Sequence, residues 1–282
     1  MKSWVILIIL YLFFAVLFNQ IYKLLVNNMK KAGALTILIE ITGGLLCLLL
    51  VPFFDLKFPT NHYVYLFLGI ACVFYALDYR LSISARKGIE ASVYSIIRQI
   101  STIFMILAGL IFFKEPFVLK KIIGAFLIVI SNVLIFYEKG TFKFNKSIIL
   151  ATLASLSTTI ALFIDVNYSN EFNLPIYVSF VLIVPALLIF IFEKIKIKDI
   201  ISEFKNTNKK FMIITSISWL LMMIFKLWAY QLGEVIVIAP LCSLTAIINV
   251  IVGYMFLKEK TKLIKKIIAA FLIILSVILI NL

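Results

Sequence analysis

Residues 112–131 read FFKEPFVLKKIIGAFLIVIS, and residues 256–276 read FLKEKTKLIKKIIAAFLIILS. Lys114 and Glu115 stand 144 positions before Lys258 and Glu259. After a one-residue insertion the register becomes 145. Lys120, Lys121, Ile122, Ile123, Ala125, Phe126, Leu127 and Ser131 then meet Lys265, Lys266, Ile267, Ile268, Ala270, Phe271, Leu272 and Ser276. Backwards at 144, Gly109 meets Gly253 and Glu90 meets Glu234. Apolar helices resemble one another by chance, but KE, KKII and AFL in the same order mark a duplication. It divides the chain into residues 1–138 and 139–282.

The surrounding sequence sets the medium. Of 282 residues, 64% are hydrophobic and only 14% charged, with a mean hydropathy of +1.15. Apolar runs long enough to cross a bilayer recur along the whole chain. The expected spans are 3–25, 34–54, 63–84, 91–113, 118–137, 147–167, 175–193, 211–233, 235–257 and 263–281. Unbroken apolar runs exclude a membrane barrel, whose strands alternate. The expected fold class is an all-α integral membrane protein with ten transmembrane helices. Five spans per half turn the second half upside down, giving two inverted five-helix repeats. That architecture lets one site open to each side in turn. MKSWVILIILYLFFAVLFNQ has no small-residue cleavage site and reads as a retained first helix. EKIKIKDIISEFKNTNKK, residues 193–210, is the longest polar connection.

Two five-helix halves, a short corner between the third and fourth spans, and a fourth span ending in (F/L)(F/L)KE before a G-A or A-A helix form a pattern. It resembles the EamA-type branch of the drug/metabolite transporter superfamily. The resemblance covers the whole chain and implies a central cavity walled by spans 1, 3, 4, 6, 8 and 9, with spans 5 and 10 peripheral. The family's glutamate, matched by Glu115 and Glu259, marks the ends of spans 4 and 9 and is read here as interfacial and structural. Pro116 fits the start of the next helix, where its missing N–H costs little.

The net charge of +14 comes mostly from short connections, which points to membrane orientation and anionic lipid rather than nucleic acid. Nineteen Lys and Arg residues fall on the side that carries 193–210, and five on the side of the N-terminus. The positive-inside rule then makes the first side cytoplasmic and both termini external. The family usually keeps both termini inside, so two orientations stand. The expected location is a prokaryotic plasma (inner) membrane.

Ionisable residues within spans are expensive and are candidate functional groups. Glu40, Asp78, Arg80 and Arg98 fall at similar depth. Asp78 and Glu40 are possible partners of Arg98. Either these groups form an ion network joining spans 2, 3 and 4, or Arg98 binds an anionic group while an acid couples protons. For Glu40 and Arg80 the network or snorkelling is favoured. Tyr94, Arg98, Ser101, Met105 and Gly109 share one helical face, and a shift of 144 turns them into Ile238, Cys242, Thr245, Asn249 and Gly253. Both faces suit helices that line one cavity and pack closely at their glycines. Span 8 adds Trp219, Met222, Lys226 and Tyr230, and span 6 adds Ser155, Thr158 and Asp165. Lys226 and Asp165 are expected to form a second ion pair at the other mouth. Trp219 and Trp228 are the better aromatic candidates, since two of only three Trp residues fall on span 8, with an interfacial anchor as the alternative for Trp228.

The three cysteines, Cys47, Cys72 and Cys242, fall in apolar spans and read as packing residues. The lone histidine, His62, falls in a loop and offers no metal cluster. No phosphate loop and no Ser-His-Asp set is present, so neither an ATP-driven pump nor an enzyme is expected, and no cofactor. The expected function is secondary transport of a small polar or amphipathic metabolite by alternating access. The substrate would contact Arg98, Tyr94, Tyr79, Trp219, Asn249 and Lys226. Glu40, Asp78 or Asp165 would couple ions or protons, and Gly88 and Gly233 would act as hinges. The alternatives are a lipid-linked head-group flippase and a non-transporting scaffold. The buried charges argue against the scaffold.

Overall fold

The structure is a computed structural model that describes residues 3–112, 119–138, 141–142, 145–259 and 263–281. It is helical nearly throughout. In chain order the helices are α1 (Ser3–Asn27), α2 (Ala32–Leu48), α3 (His62–Gly88), α4 (Ala91–Ile97), α5 (Ile100–Ile111) and α6 (Leu119–Phe136). They continue with α7 (Lys146–Tyr168), α8 (Leu174–Phe192), α9 (Ile197–Asn206), α10 (Lys209–Leu232), α11 (Val235–Cys242), α12 (Leu244–Phe256) and α13 (Leu263–Asn281). A two-residue antiparallel ladder, Tyr137–Glu138 with Thr141–Phe142, lies between α6 and α7.

Among the described residues, seven segments are long and apolar enough to cross a membrane, where ten spans are expected from sequence. The apolar helix α2 is 17 residues long and ends in a 3-10 turn at Val51–Phe53. The KEPF corner, with Glu115 and Pro116, lies outside the described residues. His62 is not in a loop but is the first residue of α3, which Asn61 caps by accepting from Tyr63 N at 3.0 Å. The polar connection 193–210 is not all loop: it folds into the amphipathic helix α9.

Asparagines start the long helices, because a short amide side chain can accept an orphan N–H of the first turn. Asn145, Asn173 and Asn208 do this for α7, α8 and α10. Asn173 also donates through Nδ2 to the carbonyls of Val51, Phe54 and Asp55, tying the turn after α2 to α8.

The most extensive pairings are α1 with α10, α3 with α7, α2 with α8, and α6 with α13. The outside is apolar, with Phe13, Leu45, Phe126, Phe180, Ile191 and Phe271 exposed, while Glu40, Asp78, Arg86 and Asp165 are buried. That is the reverse of a water-soluble domain and suits a lipid surround. Arg80 sits nearer the surface, in an ion pair with Glu193. Trp228 is partly exposed, edge-on to Phe54.

Two helices expected to be continuous are interrupted at corresponding positions. The first break falls at Arg98 and Gln99, between α4 and α5. There Gln99 N bonds Ile96 O and Ser101 N bonds Arg98 O, both i to i−3 contacts of a tightened turn. The second falls at Ser243, between α11 and α12, 144 positions after Gln99. Pro240 lies inside α11 and has no N–H to donate to the preceding turn, which weakens the helix there.

Gly88 and Gly233 owe their small size to close packing. A Cβ at Gly88 would collide with Ser147, and one at Gly233 would lie 2.9 Å from Ile238 and 3.2 Å from Trp4.

Candidate functional site

A cavity lies at the centre of the bundle. Its empty space, mouth included, is about 1100 Å³. Its walls come from α1, α2, α3, α4 and α5 of the first half, and from α7, α10, α11 and α12 of the second. Tyr94, Arg98, Ser101 and Met105 all face it, so the stripe read from sequence survives the helix break.

The break aims Arg98 at Asp78. Nη1 donates to Oδ1 at 2.6 Å, and Nη2 lies 3.5 Å from Oδ2. Asp78 also accepts from Ser82 Oγ at 2.8 Å, and Ser82 accepts from the Tyr94 hydroxyl at 2.6 Å. One connected network thus joins α3 to the α4–α5 junction. Helix spacing explains it: Asp78 and Ser82 are one turn apart, as are Tyr94 and Arg98.

Glu40 is buried and lines the cavity. It neither snorkels nor pairs with Arg98. Instead Trp219 donates its indole N–H to Glu40 Oε2 at 2.9 Å. Trp219 stacks on Phe18 with centroids 4.6 Å apart and meets Tyr79 edge-on at 5.7 Å. The Tyr79 hydroxyl donates to Val181 O at 2.8 Å, leaving its ring as cavity wall.

Two expectations from sequence are corrected here. Asn249 does not line the cavity: it is fully buried, donates to Thr245 O at 2.8 Å and accepts from Gln20 Nε2 at 2.8 Å. Asp165 forms no ion pair with Lys226. It accepts from the hydroxyls of Tyr75 and Tyr177, the latter at 2.7 Å, so two phenols replace the expected cation. Lys226 does line the cavity, with Nζ 6.0 Å from the Tyr11 ring. Gly253 does allow close packing, here against Glu259. A Cβ there would lie 2.8 Å from Glu259 Oε2.

Glu259 is buried rather than interfacial, and it is structural. Its carboxylate accepts from Ala91 N at 2.7 Å and Ser92 N at 3.1 Å, capping α4 from the opposite half. The N-cap residue itself, Glu90, makes no side-chain cap and instead holds the buried Lys266. All three cysteines are buried and free, and Cys242 also lines the cavity.

Arg86 escaped the sequence reading, which counted it among the surface cations. It is 4% exposed and lines the cavity. Its guanidinium lies 3.9 Å from the Tyr94 ring centroid, 5.0 Å from Tyr22 and 5.3 Å from Phe18. The signal was present: Asp78, Ser82 and Arg86 follow at intervals of four, and α3 stays helical to Gly88. Lys23 holds the end of that helix by donating to the carbonyls of Arg86 and Ile89.

Residues 2–137 match the model of the EamA-like transporter family. The first half of this chain is similar to the EamA-like transporter family. The match makes good the resemblance to the drug/metabolite transporter superfamily, and with the apolar helices it marks a multi-pass integral membrane protein of that transporter type. The fold extends beyond the EamA-like half. A solved structure, titled only as the crystal structure of a protein, superposes with a TM-score of 0.65 at 12% identity, over 98% of this chain and 96% of that one. A search of curated proteins finds no match.

Proposed function

We propose that the protein is a secondary transporter that moves a small polar or amphipathic metabolite by alternating access. The observation that carries this reading is the central cavity, walled by helices of both halves and lined by Glu40, Asp78, Arg86, Arg98 and Lys226 within an apolar exterior. Ionisable groups are costly at such depth and are retained where they handle polar cargo.

The two halves, 1–138 and 139–282, are read as inverted repeats of five spans each. The α4–α5 and α11–α12 pairs then count as one interrupted span apiece, α9 lies outside the count, and the ten expected spans follow. Two features support this. The interruptions correspond in the 144-residue register. Exchanging the halves also turns the α1–α10 pairing into α7–α3, and returns α2–α8 and α6–α13 to themselves. Interrupted helices at a repeat interface are a usual setting for a transported solute. In this reading the halves rock about the corners at Gly88 and Gly233, and the substrate contacts Tyr79, Tyr94, Arg98, Trp219 and Lys226. The buried carboxylates Glu40, Asp78 and Asp165 are the candidates for ion or proton coupling.

The test is a metabolite screen on purified protein, reading stabilisation that grows with ligand concentration. Radiolabelled counterflow in proteoliposomes follows for each hit. Wild-type protein should exchange at least one hit, and Arg98→Gln should abolish that exchange. Hits that bind but never cross the bilayer refute the transport reading.

A further inference from the structure

We propose that Arg86, not Arg98, is the anion receptor of the cavity, and that its ligand is a small organic carboxylate with an aromatic or flat apolar body. The inference rests on the transport reading and narrows its substrate class.

Among the described residues, Arg98 has Asp78 and Arg80 has Glu193 as carboxylate partners. Arg86 has one hydrogen bond, from Nη2 to Asn19 Oδ1 at 2.6 Å. Its Nε and Nη1 are buried with no acceptor. A guanidinium keeps its charge at any ordinary pH, so a buried one needs acceptors in the plane of the group. The rings of Tyr94, Tyr22 and Phe18 stabilise its charge through their faces but accept none of those N–H bonds. A carboxylate is planar and matches a guanidinium edge with two parallel bonds.

Charge and shape select the ligand further. Arg98 is already neutralised by Asp78, and the remaining lining groups Arg86, Lys226 and Glu40 leave one net positive charge, which favours a monoanion over a phosphate dianion. Beside it stand the Phe18–Trp219 stack and the edge of Tyr79, a wall suited to a flat ring. Asn19 and Tyr94 act as positioning residues that hold the guanidinium.

The experiment measures thermal unfolding of the purified full-length protein against phenylacetate and indole-3-acetate, each paired with its neutral amide. The acids are expected to raise Tm saturably, and the amides are not. Arg86→Gln, checked for a single gel-filtration peak and its own unfolding transition, should weaken acid binding at least tenfold. Arg80→Gln, outside the cavity, should keep it within about threefold. A second measurement needs no variant: phenylglyoxal should modify Arg86 in wild-type protein, and the acids, not the amides, should protect it. Equal response to acids and amides, undiminished binding by folded Arg86→Gln, or failure of the acids to protect Arg86 overturns the proposal. So does an Arg86 that resists phenylglyoxal while Arg80 reacts. If neither acid stabilises wild-type protein, this assignment also fails, while transport itself is still judged by the wider screen and counterflow.

Discussion

Thr102 Oγ1 and Ser243 Oγ lie 3.0 Å apart, so a hydroxyl pair joins the two interrupted helices at their breaks. Each residue belongs to one sequence half, and the contact sits where the helical ladder is weakest. Thr102 is also 3.3 Å from Gln99 Oε1, whose Nε2 in turn bonds Ser95 O. The breaks are thereby satisfied by side chains, a condition for irregular backbone at membrane depth.

This bridge should couple the two breaks. Thr102→Val and Ser243→Ala are each expected to destabilise the protein, with a coupling of about 0.5–1 kcal/mol in a double-mutant cycle, the usual size for a hydrogen bond between membrane helices. Unfolding in mixed micelles reads it. Strict additivity would show that the hydroxyls are merely neighbours.

Breaking the Arg98–Asp78 pair from one side should be worse than removing both charges. Asp78 is almost fully buried and the Arg98 side chain is one-fifth exposed. Asp78→Asn leaves a cation without its partner, and a loss of about 2–4 kcal/mol is expected. The double variant Asp78→Asn, Arg98→Gln should recover a substantial part of it. Thermal unfolding of the three variants decides, and a double variant as unstable as the sum of the singles refutes the pairing.

Glu259 should matter more than its place after a span suggests. Replacing it with Ala strands two N–H groups of α4 and takes away a carboxylate 3.8 Å from the buried Lys266. The expected cost is about 2–3 kcal/mol, with Glu259→Gln intermediate because its amide oxygen still accepts. Hydrogen exchange confined to residues 91–97 should speed up. Unchanged exchange there would remove the capping role.

The docking of α9 should depend on one carboxylate and hardly on another. Buried Glu203 accepts from Lys30 N and Lys31 N, so Glu203→Ala should free α9 and raise its exchange rate. Half-buried Asp199 pairs with the exposed Lys31 at 2.7 Å, and that hydrogen bond holds its carboxyl below the ordinary range. A depressed pKa contributes stability above the unfolded value, about 3.9, and loses it as pH falls through the folded one. The pair is therefore intact at neutral pH, and Asp199→Asn should leave α9 exchange nearly unchanged because a surface pair with an exposed lysine contributes little. A large effect would place Asp199, not Glu203, at the centre of the docking.

Orientation is testable directly. The charge bias predicts that cysteines at positions 61 and 170 react with an impermeant reagent from outside intact cells. One at position 202, in α9, should react only after permeabilisation. The reverse pattern would establish the orientation usual in the family.

The sequence determined the medium and the plan of this protein. Composition and long apolar runs require a membrane, and the repeated KE…KKII…AFL phrase is the basis for proposing two related halves. The face of Tyr94, Arg98, Ser101 and Met105 was legible because helix periodicity fixes which side chains share a side. Tertiary structure decided the partners, because a pairing between distant segments leaves no periodic trace. Asp165 sits between two tyrosines from α3 and α8, Asn249 holds Gln20 of α1, and Glu259 caps a helix 168 residues away in sequence. Arg86 is the sharpest case. Near the end of a span it reads as a surface charge, and only the continuation of α3 beneath Tyr94 turns it inward. Which buried charge lacks a counter-charge follows from three-dimensional proximity, and that is a property of the folded chain alone.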